Sequence, residues 1–112
     1  MERSKLAATP EPPYYAVVFT SERTAEDPAG YAAMADAMEA LASKQPGYLG
    51  IESARGPDGV GITVSYWATM EAIRAWKAVA EHAAAQRLGR ERWYGAYELR
   101  VCRVERAYGF RR

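Results

Sequence analysis

The chain has 112 residues, and its charges almost cancel, because it contains 15 Lys and Arg residues and 14 Asp and Glu residues. This length predicts one domain that is long enough to bury a core of its own. A net charge of +1 gives the protein no field that would attract nucleic acid or an anionic membrane, and its longest basic run is Arg111-Arg112. We therefore expect neither a nucleic-acid partner nor a membrane partner.

The sequence offers few metal ligands, no pair of cysteines, and neither a membrane span nor a signal peptide is expected. Cys102 is the one cysteine and His82 the one histidine, so we expect no intrachain disulfide and no metal site. No stretch approaches the roughly 20 apolar residues of a membrane span, and residues 1–13 lack the apolar segment of a signal peptide. A reducing, cytoplasmic location is therefore the expectation.

The domain itself is predicted to begin at residue 14 and to end at residue 110. Residues 1–13 contain three prolines among small and charged residues, which is typical of a disordered lead-in. The run YYAVVFT at 14–20 is β-branched and aromatic with apolar residues on both faces, so it predicts a strand that is covered on both sides. A polar loop is predicted at 21–26.

The first helix has clear start and stop signals. Asp27 suits the N-cap position, Pro28 suits the first helical position, and Pro46-Gly47 ends the segment. Between them, large apolar residues recur every three or four positions, which predicts an amphipathic helix. This apolar stripe consists of Tyr31, Met34, Met38 and Leu41.

Two alternating segments then predict a β-hairpin. Residues 48–55 and 60–67 have the two-residue periodicity of strands, and a Gly-Pro-Asp-Gly turn at 56–59 joins them. Neighbouring strand residues point to opposite faces. Tyr66 and Trp67 are therefore expected on opposite sides of the sheet.

A second helix is predicted over residues 69–88, with a threonine as its N-cap and Gly89 as its C-cap. Ile73 and Trp76 begin its apolar stripe. The stripe is poorly defined around Ala78, which leaves a bend at that point open.

The last strand is predicted over 97–104, with a continuation over 107–110. The element order β-α-β-β-α-β is that of the ferredoxin-like split βαβ motif, which predicts an α+β fold with an antiparallel sheet. Two helices cover one face of such a sheet, yet both faces carry apolar residues. A second copy of the chain is the simplest cover, so we expect a homodimer.

Several aromatic and glycine positions resemble those of one protein family. Gly47-Tyr48-Leu49-Gly50 opens the hairpin, Tyr66-Trp67 closes it, Trp76 follows on the helix, and Trp93-Tyr94 precedes the last strand. On these positions, residues 14–110 resemble the antibiotic biosynthesis monooxygenase (ABM) domain family. The resemblance implies that two ferredoxin-like subunits pack sheet against sheet into a dimeric α+β barrel, with a cavity between the sheet and the helices of each subunit.

The resemblance also implies a function. Members of the family include cofactor-independent monooxygenases that oxidise aromatic polyketides to quinones, so we expect oxidation of a small aromatic or quinol-like substrate by O2 without a cofactor. A non-catalytic dimeric domain is the alternative. The haem-degrading branch of the family is less favoured. That branch uses an asparagine on the first strand and an iron-binding histidine, whereas this chain has no asparagine and His82 follows Trp76 too closely.

Trp76 is the first candidate for substrate binding, because it matches a helix tryptophan that recurs in the cavities of both enzymatic branches. His82 is the catalytic candidate, since an imidazole can act as a general base near neutral pH. On a straight helix, however, it lies about 120° from Trp76 and faces water, so a surface role is the alternative. The other substrate-binding candidates, for which core or interface packing is the alternative, are Phe19, Tyr66, Trp67, Trp93 and Tyr94.

Overall fold

A computed structural model describes residues 5–87 and 93–112 of the chain. Its elements follow the predicted order β-α-β-β-α-β, which confirms the ferredoxin-like α+β fold. Within these described residues, neither helix is long and apolar enough to span a membrane. The elements are β1 (Tyr14–Arg23), α1 (Pro28–Ser43), β2 (Tyr48–Arg55), β3 (Val60–Trp67), α2 (Met70–Arg87) and β4 (Tyr94–Val104).

The four strands that the structure describes form one antiparallel sheet in the order β2-β3-β1-β4. Val17 of β1 lies opposite Ser65 of β3 and Val101 of β4. Its neighbour Val18 lies opposite Val64 of β3. Directly opposed residues of antiparallel strands share a face, so these rows define the two faces. The helices pack on the Val17 side, which we call the helix face, and we call the other side the open face.

The core lies between the helix face and the two helices. Trp67 is fully buried there. It packs with Val17 of β1, Ala42 of α1 and Ile73 of α2. Its indole N–H is satisfied because it donates to Ser65 Oγ at 2.9 Å. Burial of one large apolar side chain contributes about 1.5–3 kcal/mol, so this layer ties both helices to the sheet.

Both helices begin at the predicted capping residues. Asp27 has a left-handed backbone conformation (φ 46°), and its Oδ1 accepts a hydrogen bond from the Gly30 N–H at 3.1 Å. Thr69 Oγ1 accepts one from the Ala72 N–H at 3.0 Å. Each bond satisfies an amide that a helix N-terminus leaves unpaired. After α1 the chain turns at Gly47 (φ 83°), where a Cβ would lie 2.7 Å from Ala72 Cβ.

Two strands are longer than the sequence predicts. A polar loop is predicted from residue 21, but β1 continues to Arg23. Ser21 is 1% exposed, and its hydroxyl accepts a hydrogen bond from Arg55, so a contact distant in sequence allows a polar residue to be buried here. β4 begins at Tyr94 rather than at residue 97, because Arg23 pairs with Tyr94 after a shift in register.

Three further predictions concern a bend in α2, the end of α2 and an extension of β4. α2 runs without interruption from Met70 to Arg87, so the helix does not break at Ala78. The predicted helix end at residue 88 and the C-cap at Gly89 lie outside the described residues. Residues 107–110 do not extend β4, which ends at Val104.

Residues 5–13 lie against the open face, whereas their composition predicts a disordered lead-in. The Ala7 N–H donates to Glu52 Oε2 at 2.9 Å, and Thr9 Oγ1 donates to the Tyr14 hydroxyl at 2.9 Å. Tyr14 is only 4% exposed. These contacts require the folded sheet as a partner, which an argument from the composition of the segment does not include.

Candidate active site

α2 places Trp76 above the helix face of the sheet. Its ring stacks on Trp67 of β3, with centroids 5.8 Å apart and planes 22° apart. Tyr48 of β2 meets Trp67 edge-on at 5.6 Å. Trp76 is only partly buried, so part of its indole remains accessible. This geometry suits a wall of a binding surface as well as a core side chain.

The helix face is left open above β4. Tyr97, Leu99 and Val101 of β4 point to this face and are 40%, 54% and 50% exposed. We call this surface the β4 strip. Trp76 lies above β3, so β1, which carries Phe19, separates it from the β4 strip within the sheet. Trp76 and the β4 strip therefore flank the helix face of β1 on its two sides.

Tyr31 of α1 is the centre of an aromatic cluster at the far end of β1. Its ring meets Trp93 and Tyr94 edge-on, at centroid distances of 6.3 and 5.8 Å. Phe19 contacts Tyr94 and Tyr97 at 5.6 and 5.5 Å. The sequence places Tyr31 only in the stripe of α1, and no local pattern reveals its contacts with β4.

Burial holds Tyr94 in its protonated form. Desolvation is the largest cause that raises the pKa of Tyr94 above its usual value, and a hydrogen bond with Tyr31 raises it further. The positive charges of Arg55 and Arg23 oppose this shift without outweighing it. Tyr94 is therefore a hydrogen-bond donor at neutral pH and not a base.

Tyr66 and His82 lie away from these aromatic residues. Tyr66 is on the open face, where its hydroxyl donates to Glu52 Oε1 at 2.6 Å. Burial raises the pKa of Tyr66 to about 12, with further contributions from the hydrogen bond and charge of Glu52. His82 is exposed, and it lies about 180° around α2 from the buried Ile73. The structure thus brings Trp67 and Trp76 together, and separately Phe19, Trp93 and Tyr94.

Two arginines that the sequence analysis does not single out approach the same cluster. The guanidinium carbons of Arg23 and Arg55 lie 4.2 and 5.4 Å from the centroid of the Tyr31 ring. These residues are at the ends of different strands, so only the sheet register brings them together. Over residues 5–87 and 93–112, no group of three or more His, Cys, Asp or Glu side chains could hold a metal ion.

Comparison with known proteins adds one close relative and several distant structures. YqjZ of Bacillus subtilis (strain 168), described as an uncharacterized protein, is 52% identical over 101 residues, which cover 90% of this chain and 88% of YqjZ. SnoaB, a cofactor-independent oxygenase from Streptomyces nogalater, has a TM-score of 0.70 at 15% identity, over 86% of this chain and 97% of SnoaB. PA3566 from Pseudomonas aeruginosa has a TM-score of 0.67 at 12% identity, over 88% and 98%.

Because SnoaB and PA3566 are only 15% and 12% identical to this chain, their similarity shows the fold alone. The family model described as "Antibiotic biosynthesis monooxygenase" matches residues 15–88, which is more than half of the chain. This match agrees with the order of aromatic and glycine residues along the sequence. The chain therefore belongs to the antibiotic biosynthesis monooxygenase (ABM) family.

Proposed function

We propose that the protein is a cofactor-independent monooxygenase that oxidises a small aromatic or quinol-like molecule with O2. The observation that carries the proposal is the partly buried Trp76, which stacks on Trp67 and shares the helix face with the open β4 strip. Membership of the ABM family supports the reaction class. The fold shared with SnoaB is compatible with it.

The aromatic surface of the helix face suits a planar organic substrate. Aromatic rings attract one another at centroid distances of about 4.5–7 Å, and apolar walls with few polar groups are typical of small-molecule sites. In this proposal Trp76 forms one wall, Phe19 lies on the floor, and the β4 strip forms the other side. Trp67 holds Trp76 in position and Tyr94 holds Phe19, while Trp93 acts indirectly through Tyr31, which contacts Tyr94.

The reaction needs no cofactor because the substrate supplies the electrons. Loss of a proton from a phenol, or from the CH2 group of an anthrone, leaves an anion that transfers an electron to O2. In the anthrone case the CH2 carbon becomes C=O with one oxygen atom of O2. The other oxygen atom leaves as water with the two hydrogen atoms. In this scheme the protein binds and orients the substrate, and its aromatic walls cover part of the reactive anion.

The proton acceptor in this scheme is a water molecule at the β4 strip. Tyr66 and Tyr94 have raised pKa values and keep their protons at neutral pH. His82 is exposed on the outer side of α2, and we keep it as the alternative base. Replacing His82→Gln separates the two: kcat changes by less than about twofold if water is the acceptor, and falls about 100-fold or more if the imidazole is.

Oxygen uptake tests the proposal directly. Purified protein is assayed with a panel of anthrones, quinols and haem, and the rate is compared with that of protein-free buffer. Trp76→Ala should lower kcat/KM for the best substrate by about tenfold or more, because it removes the stacking wall. Trp76→Phe should retain part of the activity. Lys77→Ala, at the next and exposed position, is the matched control.

Each result of this assay has a defined meaning. Uptake no faster than in buffer for every compound contradicts the oxygenase proposal. If a compound quenches tryptophan fluorescence in the wild type but consumes no O2, the protein is a non-catalytic binding domain, which is the second candidate. The exposed position of His82, the chain's one histidine, favours that candidate over a haem-degrading enzyme.

We further propose that the protein acts as a homodimer in which the open faces of two sheets pack together. Val18 and Val64 lie at the middle of this face, and Ile62 beside them is 47% exposed. Residues 5–13 contact this face at Glu52 and Tyr14, and Val18 and Val64 remain partly exposed. A second copy of the chain would remove these apolar side chains from water.

A further inference from the structure

A cleft of about 340 Å³ lies where β1 ends and the turn between β2 and β3 begins. Its charged lining residues are Arg23, Arg55 and Asp58. Tyr15, which is paired with Trp67, is at the opposite end of β1. At about 3.4 Å per residue, eight residues of strand place the cleft about 27 Å from that end. The cleft is therefore distant from Trp76, and it adjoins the end of the β4 strip through Tyr31 and Tyr94.

Arg55 is fixed in the cleft by three hydrogen bonds. One terminal nitrogen donates to Ser21 Oγ at 2.9 Å and to the Tyr31 hydroxyl at 2.9 Å. The other donates to the Gly59 carbonyl. Ser21 and Tyr31 belong to β1 and α1, so two elements of the fold hold the guanidinium in place. The N–H groups of Arg55 that take no part in these three bonds therefore point in fixed directions.

Arg23 adds a second positive charge beside Arg55. Both guanidinium groups lie over the ring of Tyr31, so their central carbons are within about 10 Å of each other. Within the described residues, no carboxylate comes within 4.0 Å of either arginine. The buried Nε of Arg23 has no hydrogen-bond partner in that part of the chain either. Asp58 Oδ1, at the cleft rim, accepts from the Val60 N–H.

We propose that the cleft between Arg23 and Arg55 binds a small oxyanion, through either a phosphate or a carboxylate group. Two like charges repel each other, and an anion between them removes that repulsion. The planar fork of a guanidinium matches the paired oxygens of both groups. Because the lining holds two positive charges and one negative charge, a net positive charge remains to attract an anion from solution.

Titration calorimetry with two probes tests this inference. Inorganic phosphate and malonate are titrated separately at low, matched ionic strength, with chloride as the reference anion. We expect one of them to bind about tenfold or more tightly than chloride. Tighter binding of phosphate indicates a phosphate-bearing ligand, and tighter binding of malonate indicates a carboxylate-bearing one.

Substitutions locate the binding in the cleft. Arg23→Gln should weaken the tighter probe about tenfold or more, because it removes one charge and the guanidinium fork and leaves a neutral polar side chain. Arg74→Gln, which removes an exposed charge from α2, is the control and should leave binding unchanged. If Arg23→Gln fails to fold by circular dichroism, Arg55→Lys is used, and we expect the same loss because lysine has no fork. Binding of neither probe above chloride, or equal binding by wild type and variant, overturns the proposal.

Discussion

The hydroxyl of Tyr66 is held as a hydrogen-bond donor by its surroundings. It is partly buried on the open face and donates to a carboxylate oxygen of Glu52 at 2.6 Å. Burial is the larger cause, and Glu52 the second, of a pKa raised to about 12. For a group whose pKa is higher in the folded than in the unfolded state, stability is present below the unfolded pKa and is lost as the pH rises through the folded one. For Tyr66 this window runs from about pH 10 to about pH 12.

Tyr66→Phe should therefore have an effect that depends on pH. At neutral pH we expect the free energy of unfolding to fall by about 1 kcal/mol, because the hydrogen bond is lost and Glu52 loses a donor. This difference from wild type should shrink as the pH rises from about 10 to about 12. Urea unfolding measures it, and Tyr108→Phe, at a tyrosine that is 89% exposed, is the control. A difference that stays constant across this window would contradict the assignment.

The sequence predicts single residues well where their surroundings are local. Trp76 follows Ile73 by three positions, so helical periodicity alone places both towards the sheet. The same geometry places His82 on the outer side of α2, where the structure has it. The grouping around Tyr31 could not be predicted in this way. Its partners come from the ends of β1 and β2, from the start of β4 and from the residue before β4, and their distances depend on strand pairing and on the packing of α1 on the sheet.

At the scale of elements, residues 5–13 form an irregular segment that packs against the open face of the sheet. Glu52 links this segment to the open face, because one carboxylate oxygen accepts from the Ala7 N–H while the other accepts from Tyr66. Bonds to a charged acceptor are stronger than those between neutral groups. The carboxylate is therefore the main polar attachment between the segment and the sheet.

Glu52→Ala should release this segment while the rest of the sheet stays folded. We expect the Ala7 amide to exchange with solvent about tenfold or more faster, because its acceptor is lost. Hydrogen exchange followed by NMR measures the amide directly. Glu71→Ala removes an equally charged but exposed side chain from α2 and should not alter the exchange of Ala7. Unchanged protection of Ala7 in Glu52→Ala would mean that other contacts hold the segment.

The elements themselves differ in how far the sequence predicts their ends. Helix starts depend on one capping side chain within three residues of the amide it accepts from, so Asp27 and Thr69 are recognisable in the sequence. Strand ends depend on a partner strand. β1 continues past Ser21 because Arg55 of β2 satisfies the buried hydroxyl. A window of local sequence does not contain that partner, and the polar residues at 21–26 therefore predict a loop.

At the scale of the molecule, the apolar side chains of the open face that stay exposed to solvent determine the expected assembly. We predict that the wild type sediments at twice its 12.4 kDa subunit mass at micromolar concentration. Ile62→Lys should sediment as a monomer, because the dimer would have to bury an unpaired charge. Ile62 is 47% exposed in the single chain, so the variant should keep its fold.

Analytical ultracentrifugation distinguishes the two outcomes. Ala33→Lys, which adds the same charge at an exposed position of α1, is the control and should remain dimeric. A monomeric wild type, or a dimeric Ile62→Lys variant, would contradict packing of open face on open face. This arrangement follows from the two apolar faces of a sheet that has helices on one side.

The stacked indoles of Trp67 and Trp76 have a consequence for spectroscopy. Their transition dipoles are close, at a centroid distance of 5.8 Å, and one belongs to β3 while the other belongs to α2. Two coupled chromophores in a fixed chiral arrangement produce a paired positive and negative band in circular dichroism. We expect such a signal from this pair, and we expect it to disappear when α2 moves away from the sheet. The protein therefore contains its own optical reporter of helix displacement, which can be read without any attached label.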